Sequence, residues 1–177
     1  MFHQSHLAFR EQLKTRNENA TEFIVIHHTQ VAKRTSVQEV HQWHLNRGWA
    51  GIGYHYYIDR DGEIFGGRPV DAVGAHTADK SHDYNPVSVG VCFDGDFNKQ
   101  EMTDKQLNAS VMLISLLSLA YGDIPLRKHG SLIPGRSCPG SLFPFDRLVR
   151  EVDACKQQLY NLFGDRRYLY RTALDLL

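Results

Sequence analysis

The run Phe23 to Ile26 is four consecutive apolar residues, β-branched at the centre, that lead straight into His27 and His28. It is too short for a helix, so the pattern predicts a buried strand ending at one of the two histidines. A change of period follows. Ser36 and Glu39 stand three apart as a capping box, and Val37, Val40 and the Trp43/His44 pair recur at helical spacing. Gly48 suits the position past the last turn, so a helix is expected over about Val37 to Arg47. "YHYYIDRDGEIFGG" then reads as two strands joined through Arg60-Asp61-Gly62, where Asp-Gly supplies the positive backbone angles of a tight hairpin.

After a Gly- and His-bearing loop around Val73 to Pro86, "VSVGVCF" reads as a further strand, with Asp94-Gly95 ending it. A second capping box, Thr103 and Gln106, opens a long apolar helix through Ala120, and Gly122 stops it. "IPLRKHG" is a short strand that His129 ends, and "SLIPGRSCPGSLFP" is a loop, because Pro134 and Pro139 flank a Gly-rich turn. Phe145, Leu148, Val149, Val152, Leu159, Leu162 and Phe163 then recur with helical period, with a break at Gly164 and a short amphipathic tail to Leu177. Strands interleaved with helices predict an α/β fold, a mixed central β-sheet flanked by helices in a single domain.

Composition narrows the function. A chain of 177 residues, 42% hydrophobic, can bury one sizeable core. Twenty basic residues balance twenty acidic ones, so no broad positive field draws the chain to nucleic acid or to an anionic membrane. The apolar run Ala109 to Ala120 is too short to span a bilayer, and a soluble protein is expected. The first twenty residues lack the basic start, apolar core and cleavage site of a signal peptide, which predicts synthesis in the cytoplasm. Three cysteines, Cys92, Cys138 and Cys155, are too few for a disulfide framework.

Imidazole nitrogen combined with thiolate sulfur is the donor set that favours zinc over magnesium or calcium. His27 or His28 at one strand end, His129 at another and Cys138 nine positions on are the candidates. Three ligands would leave one coordination position for water, the catalytic rather than the structural arrangement. The His-to-Cys spacing matches no compact zinc-finger signature, so the residues alone reach only a candidate zinc site.

Six segments carry more. "VIHHT", "RGWAGIGYHYYIDRDGEIFGGRP", "VGAHT", "NPVSVGVCFDGDF", "MTDKQL" and "KHGSLIPGRSCPG" occur in the order found in zinc-dependent N-acetylmuramoyl-L-alanine amidases of type 2. That family includes phage amidase lysozymes and peptidoglycan recognition proteins, and the resemblance runs from about Glu22 to Val152. It implies a catalytic domain over residues 22–152, an N-terminal extension over 1–21, and a C-terminal helical extension over 153–177 packed on the same domain and free to serve a partner. "GWAGIGYH" and "SVGVCF" look closest to the phage endolysin branch.

What the resemblance implies can be placed residue by residue. The metal ligands for one Zn2+ match His27, His129 and Cys138. Tyr54 occupies the catalytic tyrosine position. Arg136 stands where the phage enzymes carry a lysine; it is too basic to exchange a proton, but its positive fork can stabilise an oxyanion. His76 and Thr77 of "VGAHT" resemble cleft residues that contact substrate, and His28, a neighbour beside the site, is expected to contact it too. Cys92 falls where another branch has a catalytic glutamate and reads as a packed strand residue. His55 reads as structural, Trp43 and Trp49 as core and cleft wall.

The implied activity is hydrolysis of the amide between the lactyl group of N-acetylmuramic acid and L-alanine in peptidoglycan, by an endolysin-like enzyme acting on the wall after release. Two other readings compete. One is a peptidoglycan-binding protein without turnover; the other is a metal-independent enzyme with Cys138 as nucleophile and His129 as base.

Overall fold

The computed structural model describes residues 1–163, and the predicted tail from Gly164 to Leu177 lies outside them. Six strands form one mixed sheet: β1 (Phe2–Gln4), β2 (Phe23–His28), β3 (Tyr56–Ile58), β4 (Ile64–Gly66), β5 (Ser88–Phe93) and β6 (Leu126–Lys128). Their order across the sheet is β1-β4-β3-β5-β2-β6, and only β3 and β4 pair antiparallel among the described strands. Every residue of the two long central strands, β2 and β5, is buried. A parallel strand covered on both faces needs apolar or small residues on both sides, which "FIVI" as a continuous apolar run and "VSVGVCF" as alternating small and apolar residues provide.

Two layers of helix cover the sheet. On one face α2 (Asp104–Ala120) and α4 (Phe145–Phe163) pack against Ile24, Ile26, Val89, Val91 and Phe93. On the other face α1 (Val37–Asn46) packs Val37 and Val40 against Ile52, Tyr57 and Cys92. Both capping boxes form: Ser36 with Glu39 at α1, Thr103 with Gln106 at α2. None of the described helices is long and apolar enough to cross a membrane.

Successive residues of β2 point to opposite faces, so His27 lies on the α1 side and His28 on the α2 side. β2, β5 and β6 run parallel, so their carboxyl ends lie at one edge of the sheet. Open sheets of this kind bind ligands at that edge.

Three local features differ from expectation. The hairpin turns through the expected Arg60-Asp61-Gly62, with Asp59 pairing to Glu63, but Asp61 lacks the positive φ expected of it and only Gly62 has one, +78°. His129 does not end a strand; β6 stops at Lys128 and His129 opens the one-turn helix α3 (His129–Leu132), inside a stretch read as strand end and loop. At the amino terminus β1 adds an edge strand beside β4, held by the terminal amine and His3 on the Glu63 carboxylate at 3.2 and 2.6 Å. At the other end α4 runs unbroken through Val152, and Lys156 ties it to Asp123 at 2.9 Å.

Candidate metal centre and groove

β2 delivers His27 and β6 delivers His129 to the same edge. In the parallel register Ile26 pairs with Lys128, so one further step sets His129 beside His27, and their ring centroids are 4.6 Å apart. Cys138 arrives by a loop that folds back on α3: the Gly130 amide donates to the Cys138 carbonyl at 2.8 Å, and buried Ile133 anchors the turn. Glycine is required at position 130, because a Cβ there would stand 2.3 Å from the Arg136 carbonyl oxygen. Donor atoms of His27, His129 and Cys138 all lie within 4.8 Å of one another, with Cys138 Sγ 3.8 Å from His27 Nδ1.

Burial decides the charge of this cluster. It drives the His27 pKa well below the imidazole range, helped by His76 and His129, and takes His129 to about 4, helped by Arg136. The Cys138 thiol is pushed up to about 12 by burial, against the pull of the His28 amide and Arg136. Two neutral imidazoles and a thiol short of positive charge form a set that a cation would complete, since coordination deprotonates a thiol outright. Nitrogen and sulfur donors without a carboxylate suit zinc by their softness. The residues therefore fit the ion that the resemblance implies.

The cluster floors a groove of about 510 Å³ whose lining includes Trp43, His44, Arg47, Trp49, Tyr54 and Arg136 and, among the described residues, no carboxylate side chain. Tyr54 stands just before β3, its ring centroid 5.0 Å from that of His27. Burial, with Cys92 beside it, raises its pKa well above the phenol range, so the hydroxyl keeps its proton. Arg136 is exposed on the loop of Cys138. Trp43 packs against the α1 core, and Trp49 is exposed at the rim.

Three residues expected to contact substrate, His28, His76 and Thr77, line the groove as buried side chains. His76 and Thr77 lie behind His27, buried, with His76 Nδ1 3.0 Å and Thr77 Oγ1 3.3 Å from His27 Nε2. The His28 imidazole is buried against Phe97, its Nδ1 accepting the Phe97 amide at 3.2 Å. His55 is structural: Nδ1 accepts the Gly90 amide at 2.9 Å and Nε2 meets the Ala72 carbonyl at 3.0 Å. Cys92 is fully buried in the α1-side cluster.

Sequence reasoning missed His44 and Asn85. His44 Nδ1 accepts the Gly53 amide at 2.9 Å, and its ring touches Trp49 and Tyr54, so it forms part of the groove wall. Its position on the Val37, Val40 face of α1 was the available signal. Asn85 Oδ1 accepts the backbone amides of His76 and Thr77 at 2.8 and 2.9 Å, a contact no local pattern announces.

Comparison with known proteins agrees with this geometry. Residues 17–141 match the N-acetylmuramoyl-L-alanine amidase family. The endolysin of Klebsiella phage KP32 is 34% identical over 133 residues, 72% of this chain and 85% of that protein. The endolysin of Escherichia phage T7 is 33% identical over 135 residues, 73% and 86% of the two chains. Among solved structures, the N-acetylmuramoyl-L-alanine amidase LysC from Clostridium intestinale URNW superposes with a TM-score of 0.77 at 30% identity, covering 86% of this chain and 97% of that one.

Proposed function

This chain belongs to the N-acetylmuramoyl-L-alanine amidase family, and on that premise we propose that it hydrolyses the amide between the lactyl group of N-acetylmuramic acid and L-alanine with one zinc ion held by His27, His129 and Cys138. It is a peptidoglycan hydrolase of the endolysin type. The observation that carries the ligand assignment is the convergence of two imidazoles and a thiol from three separate segments at the floor of one groove.

Zinc bound there supplies a Lewis acid that polarises a carbonyl and acidifies water. The side chains do the rest. Tyr54, protonated at every relevant pH, donates a hydrogen bond to the oxygen on which charge develops. Arg136 adds a positive guanidinium fork at the same groove. Among the described residues the groove wall holds Arg47 and Arg136 and no carboxylate, which suits a peptide that carries carboxylates. Residues 22–152 hold this machinery, with 1–21 and 153–177 as extensions, and the enzyme reaches the wall after release from the cell that makes it.

The test is mass spectrometry of muropeptides from purified peptidoglycan. Free lactyl ends and new L-alanine amino termini are expected, abolished by a chelator and restored by zinc. A carboxylate can replace a thiolate as zinc ligand but not as a thiol nucleophile, so Cys138→Asp keeps measurable turnover. Cleavage at another bond, or full rate after metal stripping, would overturn the reading.

A further inference from the structure

We infer that His76 is a positioning residue: it accepts the Nε2 hydrogen of His27 and thereby commits His27 Nδ1 to the metal. The inference rests on the reading of His27, His129 and Cys138 as zinc ligands. His27 turns Nδ1 toward Cys138 Sγ, 3.8 Å away, and Nε2 toward His76 Nδ1 at 3.0 Å. A neutral imidazole has one N–H, so a ring that gives Nδ1 to a metal must carry its hydrogen on Nε2. His27 is 1% exposed, so that hydrogen finds no solvent and needs an acceptor. His76 Nδ1 is the nearer one, and Thr77 Oγ1 at 3.3 Å the secondary one.

The surroundings are built to hold that acceptor. A Cβ on Gly74 would stand 2.5 Å from His76 Cδ2, and one on Gly90 would stand 2.7 Å from the same atom and 2.8 Å from Cγ. Neither contact can be relieved by a flexible chain end, since both strike the rigid ring. Two glycines, one in the loop and one at the centre of β5, thus keep open a slot shaped for this imidazole. The backbone beneath it is fixed as well: the amides of His76 and Thr77 both donate to Asn85 Oδ1, and Asn85 Nδ2 donates to Asp83 Oδ1 at 2.8 Å. His76 Nε2, at the far side of the ring, is buried without a hydrogen-bond partner among the described residues. The ring's one polar engagement inward is through Nδ1, which faces His27 and Thr77. Partners of this kind set the tautomer and orientation of a ligand histidine.

Zinc dissociation constants, measured by competition with a chromophoric chelator, provide the test together with long-range nitrogen NMR of the histidines. In the zinc-loaded wild type the His27 spectrum should show Nε2 protonated and Nδ1 metal-bound. His76→Leu, which has no acceptor, should weaken zinc binding roughly 10- to 100-fold, and His76→Asn, which returns an oxygen near the Nδ1 position, should recover most of it. Melting of the metal-free forms checks that each variant folds. If wild type binds no zinc, the ligand assignment itself fails. If zinc binds but His27 coordinates through Nε2, or His76→Leu and His76→Asn bind it equally, or Thr77→Val alone carries the loss, the positioning role is overturned while the ligand assignment stands.

Discussion

In the proposed reaction Tyr54 and Arg136 divide one task by their chemistry. The Tyr54 phenol sits where burial raises its pKa, so it is a hydrogen-bond donor and not a base. Arg136 is exposed at the rim and offers a planar guanidinium fork. A donor aimed at developing charge is worth on the order of a hundredfold in rate. Tyr54→Phe should therefore lower kcat by about that factor while zinc content and KM stay close to wild type. Arg136→Lys should keep most of the rate and Arg136→Ala lose it, because a point charge replaces much of what the guanidinium fork does. Atomic absorption beside steady-state kinetics separates these outcomes from simple metal loss. Tyr54→Phe without effect would remove the tyrosine from the chemistry.

At the scale of elements, the site depends on one crowded junction. Gly53, between α1 and β3, donates its amide to His44 Nδ1 at 2.9 Å, and its carbonyl accepts the Ala75 amide at 3.1 Å. A Cβ at Gly53 would stand 1.9 Å from the Ala75 carbonyl oxygen. Gly53→Ala must push the Val73 to Thr77 loop away from the segment that precedes β3, which displaces His76 and Tyr54 together. A cost of about 2 kcal/mol is expected for such overpacking, seen as a melting temperature lower by roughly 4–8 °C, with weaker zinc binding besides. Unchanged melting and unchanged metal affinity would show the junction to be slack. Much of the frame around this junction was legible locally. Ser36 with Glu39 and Thr103 with Gln106 mark helix starts because a capping box is complete within four residues. The grouping of His27, His129 and Cys138 was legible only through the ordered motifs, since His129 and Cys138 share no simple spacing with His27. β1 was not legible: three residues with one partly buried position hold strand form only through the partner β4 supplies. His129 was misread as a strand end because the turn of α3 is fixed by the returning Cys138 loop, a contact its own neighbours do not encode.

At the scale of the molecule, stability between neutrality and about pH 4 turns on buried histidines, because free imidazoles take up their protons in that range. Six of the ten are buried: His27, His28, His41, His44, His55 and His76. Burial takes the pKa of His55 to about 3 and those of His28 and His44 to about 4. The same side chains in an unfolded chain titrate near 6.5. Each folded-state value is depressed, so the neutral, folded form is fully favoured above about pH 6.5. As pH falls from there toward 4, the unfolded chain takes up protons that the folded one refuses. Each such group then removes on the order of 1 kcal/mol of stability per pH unit. Urea midpoints of the metal-free protein should be nearly flat from pH 8 to 7 and fall steeply between 6.5 and 4. His55 lies on the α1 side of the sheet with both ring nitrogens bonded inside the fold, so His55→Gln isolates one contribution. That variant should be less stable than wild type at pH 8 yet lose stability less steeply below 6.5, by about one proton. A slope identical to wild type would mean that His55 takes up its proton without unfolding, and the acid sensitivity would then belong to other groups.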